Sequence, residues 1–358
     1  MQFGSDNQTG ASDQVLQAII NANIGNSLGY GDDYWTQQSI SLLRELFECP
    51  HAEVFLVSTG TASNCLALSC LVKPWELILC HQQSHLLMNE STAAEFFTHG
   101  ARPTPVSNNE GKVTAKQISN YFECNAFQSP HHSIPAALSI SQASENGLVY
   151  TPHEISEIGD VSRENNLSFH MDGARFANAI ASAGCTPAQM TWLAGVDVLS
   201  LGATKSGALS AEAVIFFKPE LAKPFIHLCK KSGHMLSKGR LAGSQFIGWL
   251  TNDHWLNVSK HANQQAKLLA HALSLIDEVD MSWPVASNIV FMIVQRKLAN
   301  HLIASGASFT EWAHTSLPEG VQLNDDEVYL RLVTSFKTTS DDITDFCSLI
   351  QMFYSNTN

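Results

Sequence analysis

In the segment Leu199-Ser200-Leu201-Gly202-Ala203-Thr204-Lys205-Ser206-Gly207-Ala208, a single lysine follows an apolar run and is surrounded by small residues. A lysine partly removed from water loses part of its preference for the ammonium form, and the free amine can condense with a carbonyl to an imine. Lys205 therefore has the setting of a lysine that carries a cofactor as a Schiff base; the segment alone serves a surface lysine at a strand end equally well. A Walker A phosphate loop is excluded, because that motif needs glycine before the lysine and Thr204 stands there.

A second segment, Leu167 to Ala179, contains His170-Met171-Asp172-Gly173-Ala174-Arg175, an acid at the end of an apolar run with an arginine three residues on. In open α/β sheets ligands sit beyond the carboxyl ends of the strands, so Asp172 and Arg175 are expected at the same crevice as Lys205. An aspartate there can pair with a protonated ring nitrogen, and an arginine fork can clamp a carboxylate. By itself an Asp–Arg pair at this spacing is more often a local salt bridge or helix cap. A third segment, Val57-Ser58-Thr59-Gly60-Thr61-Ala62-Ser63-Asn64, joins a strand to a helix, where free backbone N–H groups can cradle a phosphate. It is not a G-x-G-x-x-G fingerprint, and alone it reads as an ordinary capped helix start.

Most of the 15 histidines need no special role. His81 and His85 have the spacing of two helical metal ligands, but no H-E-x-x-H surrounds them and no third ligand is suggested, so no metal is expected. His85 closely follows an apolar run and is the better candidate to stack on a planar cofactor or to handle protons. His131 and His132 form an adjacent pair in a polar stretch, a second proton-handling group or simply a solvated pair.

The elements that must position these residues read as follows. Short apolar runs at Glu53–Val57, Leu77–Cys80, Arg102–Val106, Ala137–Ser141, Leu167–Met171, Val198–Leu201 and Ala213–Phe217 predict strands. Between them Thr61–Leu71, Thr114–Tyr121, Thr151–Glu164 and Ala174–Ala183 predict helices, several opening on a Ser/Thr/Asp-type cap. This alternation predicts an α/β fold, a mainly parallel sheet covered by helices. Beyond residue 250 a long helix over Trp255–Leu275, strands at Asn288–Val294 and Val328–Val333 and a last helix over Ser340–Phe353 predict a small separate domain. The expected division is 1–250 for an N-terminal arm and large domain and 251–358 for a smaller α+β C-terminal domain. The first dozen polar residues are expected to order only against something else.

With 358 residues, 44% hydrophobic and 15% charged, the chain can bury a large core. Its net charge of −13 and lack of a dense basic run argue against nucleic acid and anionic membranes as partners. Eight scattered cysteines without a C-x-x-C, and a start with neither a basic nor an apolar leader region, fit a reducing cytoplasm.

Taken together, the H-x-D-G-A-R block at 170–175, the G-A-T-K-x-G block at 202–207, Tyr30-Gly31-Asp32-Asp33, the Ser58–Asn64 loop, His85 to Glu90, Ser139 to Glu145 and Leu330-Arg331-Leu332-Val333-Thr334 are similar to a known family. They resemble the low-specificity L-threonine aldolases, including the phenylserine aldolases, within the beta-eliminating lyase family and the aspartate-aminotransferase-like, fold type I enzymes of pyridoxal 5'-phosphate. The resemblance implies that Lys205 bonds the cofactor, that Asp172 meets the pyridine nitrogen, that Gly60 and Thr61 hold part of the phosphate, and that His85 stacks over the ring. It implies that Ser5, Arg175 and Arg331 bind the amino-acid carboxylate, with Tyr30 near the substrate. His131 or His132 would occupy the family's second histidine position, and Lys231 and Lys238 would reach the phosphate of a neighbouring subunit in a homotetramer. The amino end departs from the family, with Gly4-Ser5-Asp6-Asn7 where many relatives have R-S-D-T.

The implied activity is reversible cleavage of a β-hydroxy-α-amino acid, of the L-threonine, L-allo-threonine or phenylserine type, to glycine and an aldehyde. A β-eliminating lyase or an aminotransferase would use the same lysine, aspartate and arginines. A reading of another class is a non-catalytic binding protein on this scaffold, against which stands the presence of Lys205, Asp172, Arg175 and Arg331 in one chain.

Overall fold

The computed structural model describes residues 1–106 and 110–355. Strands β1 (Glu53–Val57), β2 (Leu77–Cys80), β3 (Arg102–Pro105), β4 (Pro135–Ser141), β5 (Ser168–Gly173), β6 (Val198–Gly202) and β7 (Glu212–Phe216) form one sheet in the order β1-β7-β6-β5-β4-β2-β3. Every pairing from β6 to β3 is parallel, and only β7 runs against its neighbours β1 and β6. The reason is chain length: residues 203–211 between β6 and β7 are too few for the dozen-residue crossover that a parallel neighbour needs. Residues of β2, β6 and β7 are buried throughout, as expected for strands with both faces covered.

The helices of this part are α1 (Asp13–Ala22), α2 (Tyr34–Leu46), α3 (Gly60–Ser69), α4 (His85–Met88), α5 (Ala93–Phe97), α6 (Ala115–Cys124), α7 (Pro152–Glu164), α8 (Phe176–Ala183), α9 (Phe225–Lys231) and α10 (Arg240–Leu250). Their ends follow local chemistry. Thr114 and Thr151 close capping boxes with Gln117 and Glu154. Thr59 caps α3 by accepting from Ala62 N at 3.2 Å. Gly184, at φ 67°, ends α8 in the left-handed conformation that glycine adopts without strain.

The strands lie within a residue or two of the expected bounds. Of these helices, α1, α2, α4, α5, α9 and α10 have no counterpart in the sequence-based expectations.

A second, antiparallel sheet has the order β10-β11-β9-β8, from β8 (Asp280–Met281), β9 (Ile289–Gln295), β10 (Thr310–Glu311) and β11 (Glu327–Val333). It is accompanied by α11 (His254–Leu273), α12 (Arg296–Ala304) and α13 (Ser340–Ser355). One apolar core lies around the large sheet; another joins Leu269, Val290, Leu330 and Phe346. Helix α11 serves both, with Trp255 in the first and Ala266, Leu269 and Leu273 in the second.

The amino-terminal segment orders against its own chain. Phe3 N donates to Ser308 O at 2.7 Å, Val333 N donates to Phe3 O at 2.8 Å, and the buried Phe3 ring meets Phe346 edge-on. Its polar look in sequence hid one fully buried aromatic anchor and one buried acid, Asp6.

Candidate active site

Lys205 sits in a 3-10 turn, Thr204–Ser206, directly after β6. The turn is closed by Gly207 at φ 111°, a conformation side-chain-bearing residues rarely adopt, and tied down by Trp249 Nε1 donating to Ser206 O at 3.0 Å. Burial pushes the Lys205 amine below the usual lysine range and the Arg175 charge adds to this, while Asp6, Asp172 and Glu212 oppose it. Gly202 is a close-approach position, since a Cβ there would meet the Ala174 backbone at 2.9–3.0 Å. Beside the turn, the carboxyl of Glu212 is raised to about 7 by burial and accepts from Thr204 Oγ1 at 2.5 Å.

Asp172 lies at the end of the neighbouring strand β5, paired in register with Ser141 on β4 and Ser200 on β6. Its Oδ2 accepts from Asn64 Nδ2 at 2.8 Å and its Oδ1 from Ala174 N at 3.0 Å. Two residues earlier, His170 is fully buried between Ser139 Oγ and Ser200 Oγ, each 2.9 Å from a ring nitrogen. A hydroxyl at each nitrogen satisfies either neutral tautomer, and burial drives this imidazole down to about 4.

His85 opens α4, with its backbone N donating to Glu145 Oε1 at 2.8 Å and its Nδ1 3.0 Å from Glu90 Oε1. The Glu90 hydrogen bond raises this imidazole above its ordinary value; burial opposes it, the Asp172 and Glu90 charges assist, and Lys205 opposes.

Two arginines complete the arrangement. Arg175 makes a two-point pair with Asp6, Nε to Oδ2 at 2.8 Å and Nη2 to Oδ1 at 2.9 Å. Arg331, on β11, lies with its guanidinium carbon 3.9 Å from the Trp312 ring centre, and its buried Nε has no hydrogen-bond partner among the described residues. Burial, then the neighbouring Arg175, lower Arg331 to about 10, with Asp6 opposing.

One cavity of about 260 Å³ is lined by Lys205, Asp172, His85, Arg175, Arg331, Gly60 and Ser5, together with Asn64, Glu90, Glu145 and Trp312. The sequence points to the first seven; Asn64, Glu90 and Glu145, like Asp6 behind Arg175, stand in quoted segments without an expected role, and Trp312 is the lining residue that no sequence signal marks. Thr61 follows Gly60 in the first turn of α3 but is not among the lining residues.

Tyr30 is not brought here. It is exposed, under the Lys230 ammonium at 5.0 Å, and lines a separate cavity of about 340 Å³. Lys231, at the end of α9, and Lys238, before α10, are exposed and do not line the Lys205 cavity, and neither do His131 and His132, exposed between α6 and β4. The larger cavity is lined by Asp32 and Glu53 but, among the described residues, by no lysine, so residue content rather than volume marks the site. Among the described residues, no cluster of three or more His, Cys, Asp or Glu suits a metal ion, and no helix is long and apolar enough to cross a membrane.

The arrangement pairs a buried amine with an acid one strand away, anion-seeking guanidiniums opposite and an imidazole at the side. Comparison with known proteins agrees with this chemistry. The family model described as beta-eliminating lyase matches residues 2–297. The chain is 38% identical over 319 residues to the low specificity L-threonine aldolase of Pseudomonas aeruginosa, covering 89% of this chain and 90% of that one. It is 40% identical over 291 residues to the low specificity L-threonine aldolase of a Pseudomonas species, covering 81% and 83%. A solved threonine aldolase of Leishmania major matches with a TM-score of 0.90 at 28% identity, over 98% of this chain and 99% of that one. These likenesses bear out the α/β, type I fold expected from the sequence. The lysine, the acid and the arginines of this cavity thus stand in a chain that belongs to the beta-eliminating lyase family.

Proposed function

We propose that the protein cleaves β-hydroxy-α-amino acids of the L-threonine, L-allo-threonine or phenylserine type to glycine and an aldehyde, reversibly, with pyridoxal 5'-phosphate held by Lys205. The observation that carries this reading is the convergence of Lys205, Asp172 and Arg331 on one cavity.

The donor set fits that cofactor. A buried amine suits the aldehyde carbon, and a carboxylate held by Asn64 and Ala174 N suits the ring nitrogen. At the start of α3 the N–H groups of Ala62 and Ser63 are taken by Thr59, which leaves those of Gly60 and Thr61 for a phosphate. When bound, the cofactor supplies an electron sink for the pair left at Cα as the Cα–Cβ bond breaks.

The protein's own groups do the rest. Burial keeps the Lys205 amine from holding its proton tightly, so it can react and later receive a proton. Arg331, with Ser5 and Arg175 beside it, fixes the substrate carboxylate and so decides which bond at Cα faces the electron sink. His85, which lines the same cavity, would lie against the cofactor ring and take the proton of the β-hydroxyl oxygen.

We place Tyr30, Lys231 and Lys238 at a neighbouring subunit's site in a homotetramer, a dimer of dimers, and His131 near the substrate. Supporting assembly, the apolar residues Leu16 and Ile20 of α1, and Ile24 and Leu28 beyond it, are exposed. On the same reading, residues 1–250 and 251–358 are the large and small domains, and the eight free cysteines fit the cytoplasm.

The test is to incubate the protein and cofactor with threonine, phenylserine, cysteine and an amino-acid/keto-acid pair. Glycine with an aldehyde supports the proposal; sulfide with pyruvate, or a new amino acid, assigns β-elimination or transamination instead.

A further inference from the structure

His85 and Asp172 face one cavity, and they are also joined behind it by protein groups. Asn64 Nδ2 donates to Asp172 Oδ2 at 2.8 Å and to Glu90 Oε1 at 3.0 Å, and the same Glu90 oxygen lies 3.0 Å from His85 Nδ1. The other Glu90 oxygen accepts from Cys65 Sγ at 3.3 Å. Asn64, Cys65 and Glu90 are all buried, and the Glu90 side chain has no exposed surface. Asn64 and Cys65 are successive residues of α3, the helix whose first turn carries Gly60.

The hydrogen-bond roles in this bridge are determined by its partners. Between two carboxylates only the amide nitrogen of Asn64 can make both contacts, because its oxygen would face acceptors on either side. A carboxylate accepts and does not donate, so the third group on Glu90 must bring a proton. That group is His85 Nδ1. A neutral imidazole with Nδ1 protonated has its lone pair on Nε2.

We infer that Glu90, held in place by Asn64 and Cys65, is a positioning residue that fixes His85 as the Nδ1–H tautomer and leaves Nε2 as the basic atom of the site. This inference rests on the proposed role of His85 as the base. When Nε2 accepts a proton from the β-hydroxyl oxygen, the ring becomes an imidazolium whose Nδ1–H stays on Glu90, and no further group is consumed. The charged groups acting on the ring are Glu90 after α4, Asp172 on β5 and Lys205 after β6, while Glu145 beyond β4 accepts from the His85 backbone N. The anions favour the imidazolium and Lys205 opposes it. Glu90 has the shortest path, through a direct hydrogen bond, and removing its charge makes His85 a weaker base.

The test uses the cofactor-free protein with nitrogen-15 labelled histidine, the His85 signals being assigned by their loss in His85→Phe. In the wild-type protein above the His85 midpoint, Nδ1 is expected to carry the proton and Nε2 to be bare; in Glu90→Gln the midpoint moves to lower pH. In the loaded enzyme, Glu90→Gln should lower kcat by about 10-fold or more, the smallest loss seen when the partner behind a metal-bound histidine is removed and well below that for a triad carboxylate, with KM nearly unchanged because Arg331 is untouched. An Nε2–H tautomer in the wild-type protein overturns the inference, and that reading needs no variant to fold. A midpoint unmoved in a folded Glu90→Gln also overturns it. If tautomer and midpoint behave as expected but no substrate yields glycine and aldehyde, the functional proposal fails while the bridge stands.

Discussion

Asp6 and Arg175, 169 positions apart, form a two-point ion pair in which both guanidinium contacts are 2.8–2.9 Å long and the acid is 1% exposed. Asn288 Nδ2 adds a third donor to Asp6 at 3.0 Å. Arg175 therefore reaches the cavity with its charge already balanced, whereas the Nε of Arg331 has no hydrogen-bond partner among the described residues. The pair also fastens the amino-terminal arm, and with it Ser5, against the end of β5.

Replacing Asp6 by asparagine should cost about 3–5 kcal/mol of stability, because it leaves a largely buried guanidinium unpaired. Burial alone would raise the Asp6 carboxyl, but Arg175, Lys205 and the donors on it outweigh that and hold it below the usual range. Its contribution is thus complete above the unfolded aspartate value and is lost as pH falls through the lower folded value. Urea unfolding between neutral and acid pH checks this: the gap between wild type and Asp6→Asn should be widest near neutrality and close in acid.

Arg331→Gln should lower kcat/KM for a β-hydroxy-α-amino acid by about 2–4 kcal/mol, roughly 30- to 1,000-fold, because a desolvated carboxylate contact is lost. Trp312→Leu removes only the ring packed on that guanidinium, a contact worth about 0.5–2 kcal/mol, and should raise KM several-fold with little change in kcat. Steady-state kinetics on phenylserine or threonine separate the two.

His170 gives the fold a pH dependence of its own. Its imidazole is pushed from an ordinary 6.5 down to about 4 by burial, so between those values the unfolded chain binds a proton that the folded chain refuses. Its contribution to stability is full above about 6.5 and drains away as pH falls toward 4. In His170→Gln, which keeps polar contacts to the two serines without a titrating group, unfolding free energy should fall less steeply across that window.

The legible parts of this molecule are those encoded within a few neighbouring residues. β1 and β2 are legible because short, mainly apolar runs end at polar or turn-forming residues. Lys205 and Asp172 could be picked out because each follows such a run directly. The partners that give those groups their properties come from register and tertiary packing: Asp6 on Arg175, Trp312 on Arg331 and Asn64 between Asp172 and Glu90. Glu90 stands five residues after His85, and nothing in that spacing says that α4 stops after Met88 and turns the acid back onto the ring. Tyr30, Lys231 and Lys238 were named through family resemblance alone, and within one chain they lie on other surfaces.

The claim on which all of this depends is that Lys205 bonds the cofactor. Incubating the protein with pyridoxal 5'-phosphate, reducing with borohydride and mapping peptides by mass spectrometry tests it directly. The pyridoxyl group should appear on the peptide containing Lys205 and be absent from the Lys205→Ala protein. An adduct confined to other lysines, such as Lys231 or Lys238, with Lys205 unmodified, would contradict the account.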